Sequence, residues 1–204
     1  MNFFSEMTSH KLTVDFKKKS YPWGVAIPDQ AALSVLAYCK STKIKNMEIK
    51  SLPKSVEYSG FTGFEKAYDT IKNLSDDSMQ YQLPVINMIK AKILPAILFY
   101  QYLHEKNYDE VTKTEFTRHS NIPICWFESM NIQKKISLEF HGKYGFELGV
   151  DLSSVNGRLK VQEKIQSDFR EGIDFLRRSL AFSDGRCFYG DNVSIADCFI
   201  FSLV

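Results

Sequence analysis

The sequence predicts an α+β protein, a small α/β unit followed by an all-helical half. Three observations carry that expectation. Residues 11–16, "KLTVDF", alternate apolar and polar side chains, the period of a half-buried strand. "MEI" (47–49) and "SVEY" (55–58) read as two more short strands between helical stretches. From about residue 80 onward the apolar residues recur only at helical spacing.

Taken in order, the first eighty residues read β-α-β-β-α. After the first strand, "KKKSYPWG" is a loop. Asp29 caps a helix over about 30–41, with Leu33, Leu36, Ala37 and Lys40 at helical spacing. After the strands at 47–49 and 55–58, Thr62 and Glu65 form a capping box. Phe64, Ala67, Tyr68, Ile71 and Leu74 then make an apolar helix stripe. The polar "SDDSMQ" (75–80) is the linker, which divides the chain into residues 1–78 and residues 79–204.

The second half opens with a long helix over about 82–105. Leu83, Ile86, Ile89, Ile93, Ile97 and Leu98 face inward, and Pro95 kinks it. Helices over 109–120 and from 121 to about 140 follow. "LKVQEKIQSDFREGIDFLRRSL" (159–180) is long and amphipathic, and it packs against the 82–105 helix. After the turn "SDG" (183–185) comes "FYGDNVSIADCFIFSLV" (188–204). Ser194 is its N-cap and Asp197, three residues on, reaches back to close a capping box. Val193 and Cys198 stand at staple positions, and Ala196, Phe199, Ile200 and Leu203 give a buried helix. Ten residues is short for such a helix, which reads as clipped.

Bulk properties narrow the function. Hydrophobic residues make up 44% and charged residues 25%, the balance of a globular protein. A net charge of +2 is too small to point to nucleic acid. Cys39, Cys125, Cys187 and Cys198 form no CxxC pair and read as free thiols of a reducing compartment. His10, His104, His119 and His141 lack ligand spacing, so no metal is expected. The N-terminus has no apolar signal region and no Arg-rich amphipathic presequence. The best candidate for a membrane span, "ILPAILFYQYL" (93–103), is short of the roughly 20 apolar residues a span needs, and Lys90, Lys92 and His104 to Lys106 flank it. Lys17 to Lys19 and Arg177-Arg178 read as solvated faces. Trp23 and Trp126 are interface anchors or packing residues.

A thioredoxin-like half joined to a helical half is the glutathione-transferase architecture, in which Ser/Thr-x-x-Asp boxes lock a buried helix. Within that architecture the chain resembles the metaxins. "WGVAIPDQAALSVLAYCKSTKIKNMEIK" (23–50) is similar to their opening. "KILPAILFYQYLHEKNYDEVTKTEF" (92–116) is similar to the start of their helical half, and "CFYGDNVSIADCFIFSLV" (187–204) to their capping phrase. "SGFTGFEKAYDTIKNL" (59–74) is a weaker match. Two departures stand out. The chain is short between Lys50 and Val56, where Leu52-Pro53 takes the place of the family's Leu-Pro; the resemblance makes Pro53 a cis-proline. At Val204 the chain stops where metaxins continue to a hydrophobic anchor, as a C-terminally truncated member would.

The resemblance implies a subunit without catalytic residues, cofactor or metal, on the cytosolic face of the mitochondrial outer membrane. There it would serve import and assembly of β-barrel proteins through contacts with a second metaxin and the membrane-embedded assembly core. Membrane attachment would be peripheral or through partners. Two alternatives stand beside it. One is a glutathione transferase or glutathione-binding protein, for which Ser20 and Tyr21 lie in the loop where such enzymes place their thiolate-stabilising hydroxyl. The other is an adaptor linking mitochondria to transport motors.

Overall fold

The computed structural model describes residues 34, 35, 37, 38, 41 and 42, and the stretches 60–74, 79–114, 124–183 and 186–203. They are mostly helical, and no strand occurs among them; an isolated antiparallel bridge joins Cys187 and Gly190. This corrects the α+β, glutathione-transferase-like expectation. The described residues bury their apolar surface helix on helix, and no sheet supports a thioredoxin-like unit. The stretches read as strands (11–16, 47–49 and 55–58) lie outside the described residues, as do Ser20, Tyr21 and Pro53. So does 75–78, where the linker was expected. Residues on either side of it, Phe64 to Ile71 and Val85 to Phe199, share one core.

Residues 34, 35, 37, 38 and 41 are helical, with Val35 and Tyr38 buried. Helix α1 is Gly60–Leu74. A short turn, Met79–Gln82, leads into α2, Leu83–Leu103. α3 begins as Glu105–Asn107 and continues through a wider turn, Tyr108–Thr112. α4, Ile124–Phe140, runs on through His141–Gly145 and Phe146–Leu148. α5 is Val155–Ala181, four residues longer at its start than its apolar spacing predicts, because Ser154 accepts from Gly157 N–H at 3.0 Å and caps it. α6 is Ile195–Leu203.

α2 is the central helix. Val85, Ile86, Ile89, Ile93, Leu94, Leu98, Phe99 and Tyr102 are buried along it. Pro95 does not break it. The turn just before, Ile89–Ile93, widens so that Leu94 N–H donates to Ile89 C=O, five residues back. That extra residue makes room for a ring that would clash with the preceding turn of a regular helix. Phe99–Leu103 repeats the device. The helix is 21 residues long and by length and composition alone passes as a membrane span, yet half of its most apolar window is buried inside the fold.

α5 crosses α2 at the first wide turn. Gly172 is buried there, and a Cβ on it would lie 3.0 Å from both Ile93 Cγ1 and Lys92 Cβ. This close approach delivers Lys92 to Asp168, the one buried charged side chain among the described residues. Lys92 Nζ donates to Asp168 Oδ1 at 2.6 Å and to Glu171 Oε2 at 3.1 Å, and Lys164 Nζ donates to both Asp168 oxygens at 2.8 Å. Burial alone would push the Asp168 carboxyl up, but the hydrogen bonds from Lys164 and Lys92 outweigh it and hold it below its ordinary value. The bond to Asp168 likewise raises Lys92 against the cost of desolvation.

Phe140 of α4 is an aromatic hub. Its ring lies 5.3 Å from Phe61, 6.1 Å from Phe99 and 5.4 Å from Tyr144. The Phe64 ring packs at a tilt against Phe199 of α6, centroids 4.3 Å apart, so α1 touches both α4 and the last helix. Each such fully buried ring contributes about 2–3 kcal/mol from the apolar area it removes from water. Tyr144 is buried with its hydroxyl unpartnered.

Two predictions follow from this packing. Asp168→Ala should cost about 2 kcal/mol at neutral pH, the range for charge-assisted hydrogen bonds. The Asp168 pKa in the fold lies below its unfolded value of about 3.9. Its contribution is therefore complete above that value and is lost as pH falls through the folded one. Urea unfolding of both proteins at pH 7 and near pH 2 should show the difference shrinking in acid. Tyr144→Phe should leave stability unchanged or raise it by about 1 kcal/mol, because it removes an unsatisfied buried hydroxyl; a lower thermal midpoint would reveal a bond to that oxygen.

Candidate docking surface

The residues singled out in the sequence fall into two groups. Ser194 and Asp197 lie together at the start of α6. Asp197 N–H donates to Ser194 Oγ at 3.3 Å, and Asp197 Oδ2 accepts from Ser194 N–H at 2.8 Å. The other carboxylate oxygen accepts from Phe188 N–H at 3.1 Å, which ties in the preceding turn. Val193 remains 48% exposed while Cys198 is buried. Thr62 and Glu65 are placed otherwise. The helix already begins at Gly60, so Thr62 stands inside it, and Glu65 pairs with Lys90 of α2.

The free N–H groups of two helices are met from far along the chain. Phe61 N–H donates to Glu139 Oε2 at 3.0 Å. Gly60, at φ +73°, permits the backbone to pass so near that carboxylate, a conformation other residues rarely adopt. Buried Gln82 accepts from Ile195 N–H at 3.1 Å and Ala196 N–H at 3.4 Å. Sequence reasoning missed both caps. A capping residue beside its helix leaves a local pattern, and one 78 or 113 residues away leaves none.

α4 carries a surface that no neighbour among the described residues covers. Its inner face is engaged: Ser129, Ile136 and Phe140 are buried, Ser129 Oγ accepts from Tyr108 O–H at 3.2 Å, and Gln133 Nε2 donates to Tyr102 C=O at 3.0 Å. The opposite face should then be polar, but Phe127, Met130 and Leu138 lie on it, 65%, 57% and 64% exposed, and Trp126 on the flank is 46% exposed. The spacing 127, 130, 134, 138 sets Phe127, Met130 and Leu138 in one stripe with Lys134 at its centre. Phe146, 93% exposed, follows at the far end of the helical stretch. A helix apolar on both sides is expected to be covered on both sides. Exposed aromatic residues and Met gathered on one ridge are the composition of a protein interface. The signal was legible in part, since Trp126 reads as an anchor. The stripe was not, because the inward set 129, 132, 136 and 140 has the same spacing.

The side chains on this ridge are aromatic, aliphatic, one thioether and one ammonium, a set suited to contact. Among the described residues no group of three or more His, Cys, Asp or Glu side chains could hold a metal.

Ser194→Ala should lower stability by about 1 kcal/mol through the lost cap and leave the α4 surface unaltered. Thermal melts of the variant check the first point. Equal reactivity of an exposed probe cysteine substituted at Met130 in both backgrounds checks the second.

Comparison with known proteins comes to one finding. Residues 34–133, a stretch just short of half the chain, match the Tom37 family model, described as outer mitochondrial membrane transport complex protein. No curated protein and no solved structure matches the chain. The matched stretch takes in α1, α2, α3 and the part of α4 that carries Trp126, Phe127 and Met130. It overlaps the metaxin-like blocks at 34–50 and 92–116, and so supports a metaxin-like family with a place in the outer mitochondrial membrane transport complex.

Proposed function

We propose that this chain is a non-enzymatic accessory subunit of the mitochondrial outer-membrane transport machinery. It acts on the cytosolic face in the assembly of β-barrel proteins, through contacts with a second metaxin and the membrane-embedded assembly core. The observation that carries the reading is the Tom37 match over residues 34–133. The uncovered apolar face of α4 supports action by contact, since an exposed ridge of this composition is what a subunit presents to a partner.

Attachment to the membrane is peripheral in this reading. α2 has the length of a span, but its Lys92 is bound to Asp168 of α5, and Ile89 and Ile93 are buried in the core. Inserting α2 in lipid would dismantle that core and strand a buried carboxylate.

Tagged chain added to isolated mitochondria should co-migrate with an outer-membrane complex on native gels and co-purify with its β-barrel assembly core and a second metaxin. Migration only as free protein would overturn the reading. Alkaline carbonate should release the bound chain to the supernatant; retention in the pellet would mean that it is inserted.

A further inference from the structure

We propose that the outer face of α4 seats an amphipathic helix of a partner subunit, and that this helix carries a carboxylate which pairs with Lys134. The proposal rests on the subunit reading and names the chemistry of its partner. Three observations lead to it.

First, the ridge is narrow. Phe127, Met130, Lys134 and Leu138 fall on one line along the helix, and 127 to 138 spans about 17 Å at 1.5 Å per residue. A line one residue wide fits the groove between side-chain rows of a second helix. Second, Lys134 is exposed and forms no ion pair among the described residues. Its neighbours three and four positions away are Asn131, Met130, Ser137 and Leu138, so no carboxylate of α4 stands within a turn of it. The nearby acid Glu139 is turned to the start of α1, where it accepts from Phe61 N–H. A solitary cation in an apolar seam is a device for choosing a partner: it disfavours apolar or basic helices and favours an acidic one.

Third, the position of the cation separates a protein partner from a lipid surface. A helix lying on a membrane keeps its lysines at the edges of the apolar sector, where the ammonium reaches water. Lys134 is in the middle, between Met130 and Leu138. On lipid it would sit at the deepest line of contact. Against a helix it meets a carboxylate.

The test places a photo-reactive amino acid at Met130 or Leu138 in the full chain, bound to isolated outer membranes. Adducts are identified by mass spectrometry of the joined peptides. A foreign, helix-forming amphipathic peptide with Asp or Glu at its centre is expected at both positions. Lys134→Glu should lower its yield about tenfold and Lys134→Arg should leave it nearly unchanged, as for a desolvated charge pair. Matched thermal midpoints would show that both variants fold. Adducts to lipid, to a second copy of this chain, or to a peptide whose yield ignores the charge at 134 would each overturn the proposal. Co-migration with the outer-membrane complex without any adduct at these positions would overturn the proposal and leave the subunit reading standing. An acidic-helix adduct from a protein outside that complex would do the reverse.

Discussion

The described fold depends on one close helix crossing. α5 approaches α2 at a glycine, and the missing side chain at Gly172 lets Lys92 and Lys164 converge on a buried Asp168. Each part needs the others. Without the small residue the helices stand further apart; without the lysines a buried carboxylate would be unpaired and costly. With both, the crossing has a fixed register, because the ammonium of Lys92 reaches Asp168 in one alignment of the two helices. The rest of the core builds outward from α2, with Phe140 of α4 and Phe199 of α6 as its aromatic supports.

Long-range caps extend the same logic to the helix ends. Glu139 satisfies the start of α1, and Gln82 the start of α6. In each case the acceptor is on a helix or turn that the capped helix also packs against. Tertiary packing and backbone hydrogen bonding are thus settled together, and neither helix gets its full complement of partners until its neighbour is in place. The Ser194–Asp197 box is the local counterpart, and its carboxylate also holds the turn before it.

Sequence periodicity located the helices well and the interactions between them poorly. The stripe of α1 was legible at Phe64, Ala67 and Ile71, and that of α2 at Ile86, Ile89, Ile93 and Leu98, because all are buried at helical spacing. Pro95 was read as a kink, whereas a widened turn absorbs it, a feature of hydrogen-bond register that no residue type announces. The helix near residue 35 turns Val35 and Tyr38 inward; of the row at 33, 36, 37 and 40 that spacing favoured, only Ala37 is among the described residues, and it is half-buried. The α+β expectation came from short alternating stretches, and among the described residues helix packing alone accounts for the burial. The α4 ridge stayed hidden for a different reason. Apolar residues facing a core and apolar residues facing a partner obey one spacing rule, and only the packing of the opposite face tells them apart.

The widened turns of α2 also set a phase. Each carries one residue more than a regular turn, so everything after it is rotated by about 100° relative to an unbroken helix. The burial of Leu98, Phe99 and Tyr102 on the same core as Ile86 and Ile89 is counted through that extra residue. The two halves of α2 are in this sense separately geared. A single-residue deletion within 89–93 would close the turn to regular width and keep both halves of α2 on the core, but it would set the Pro95 ring against the carbonyl four residues before it. Relative to that shorter helix, the extra residue gives the proline room and leaves the facing of the helix beyond it unchanged.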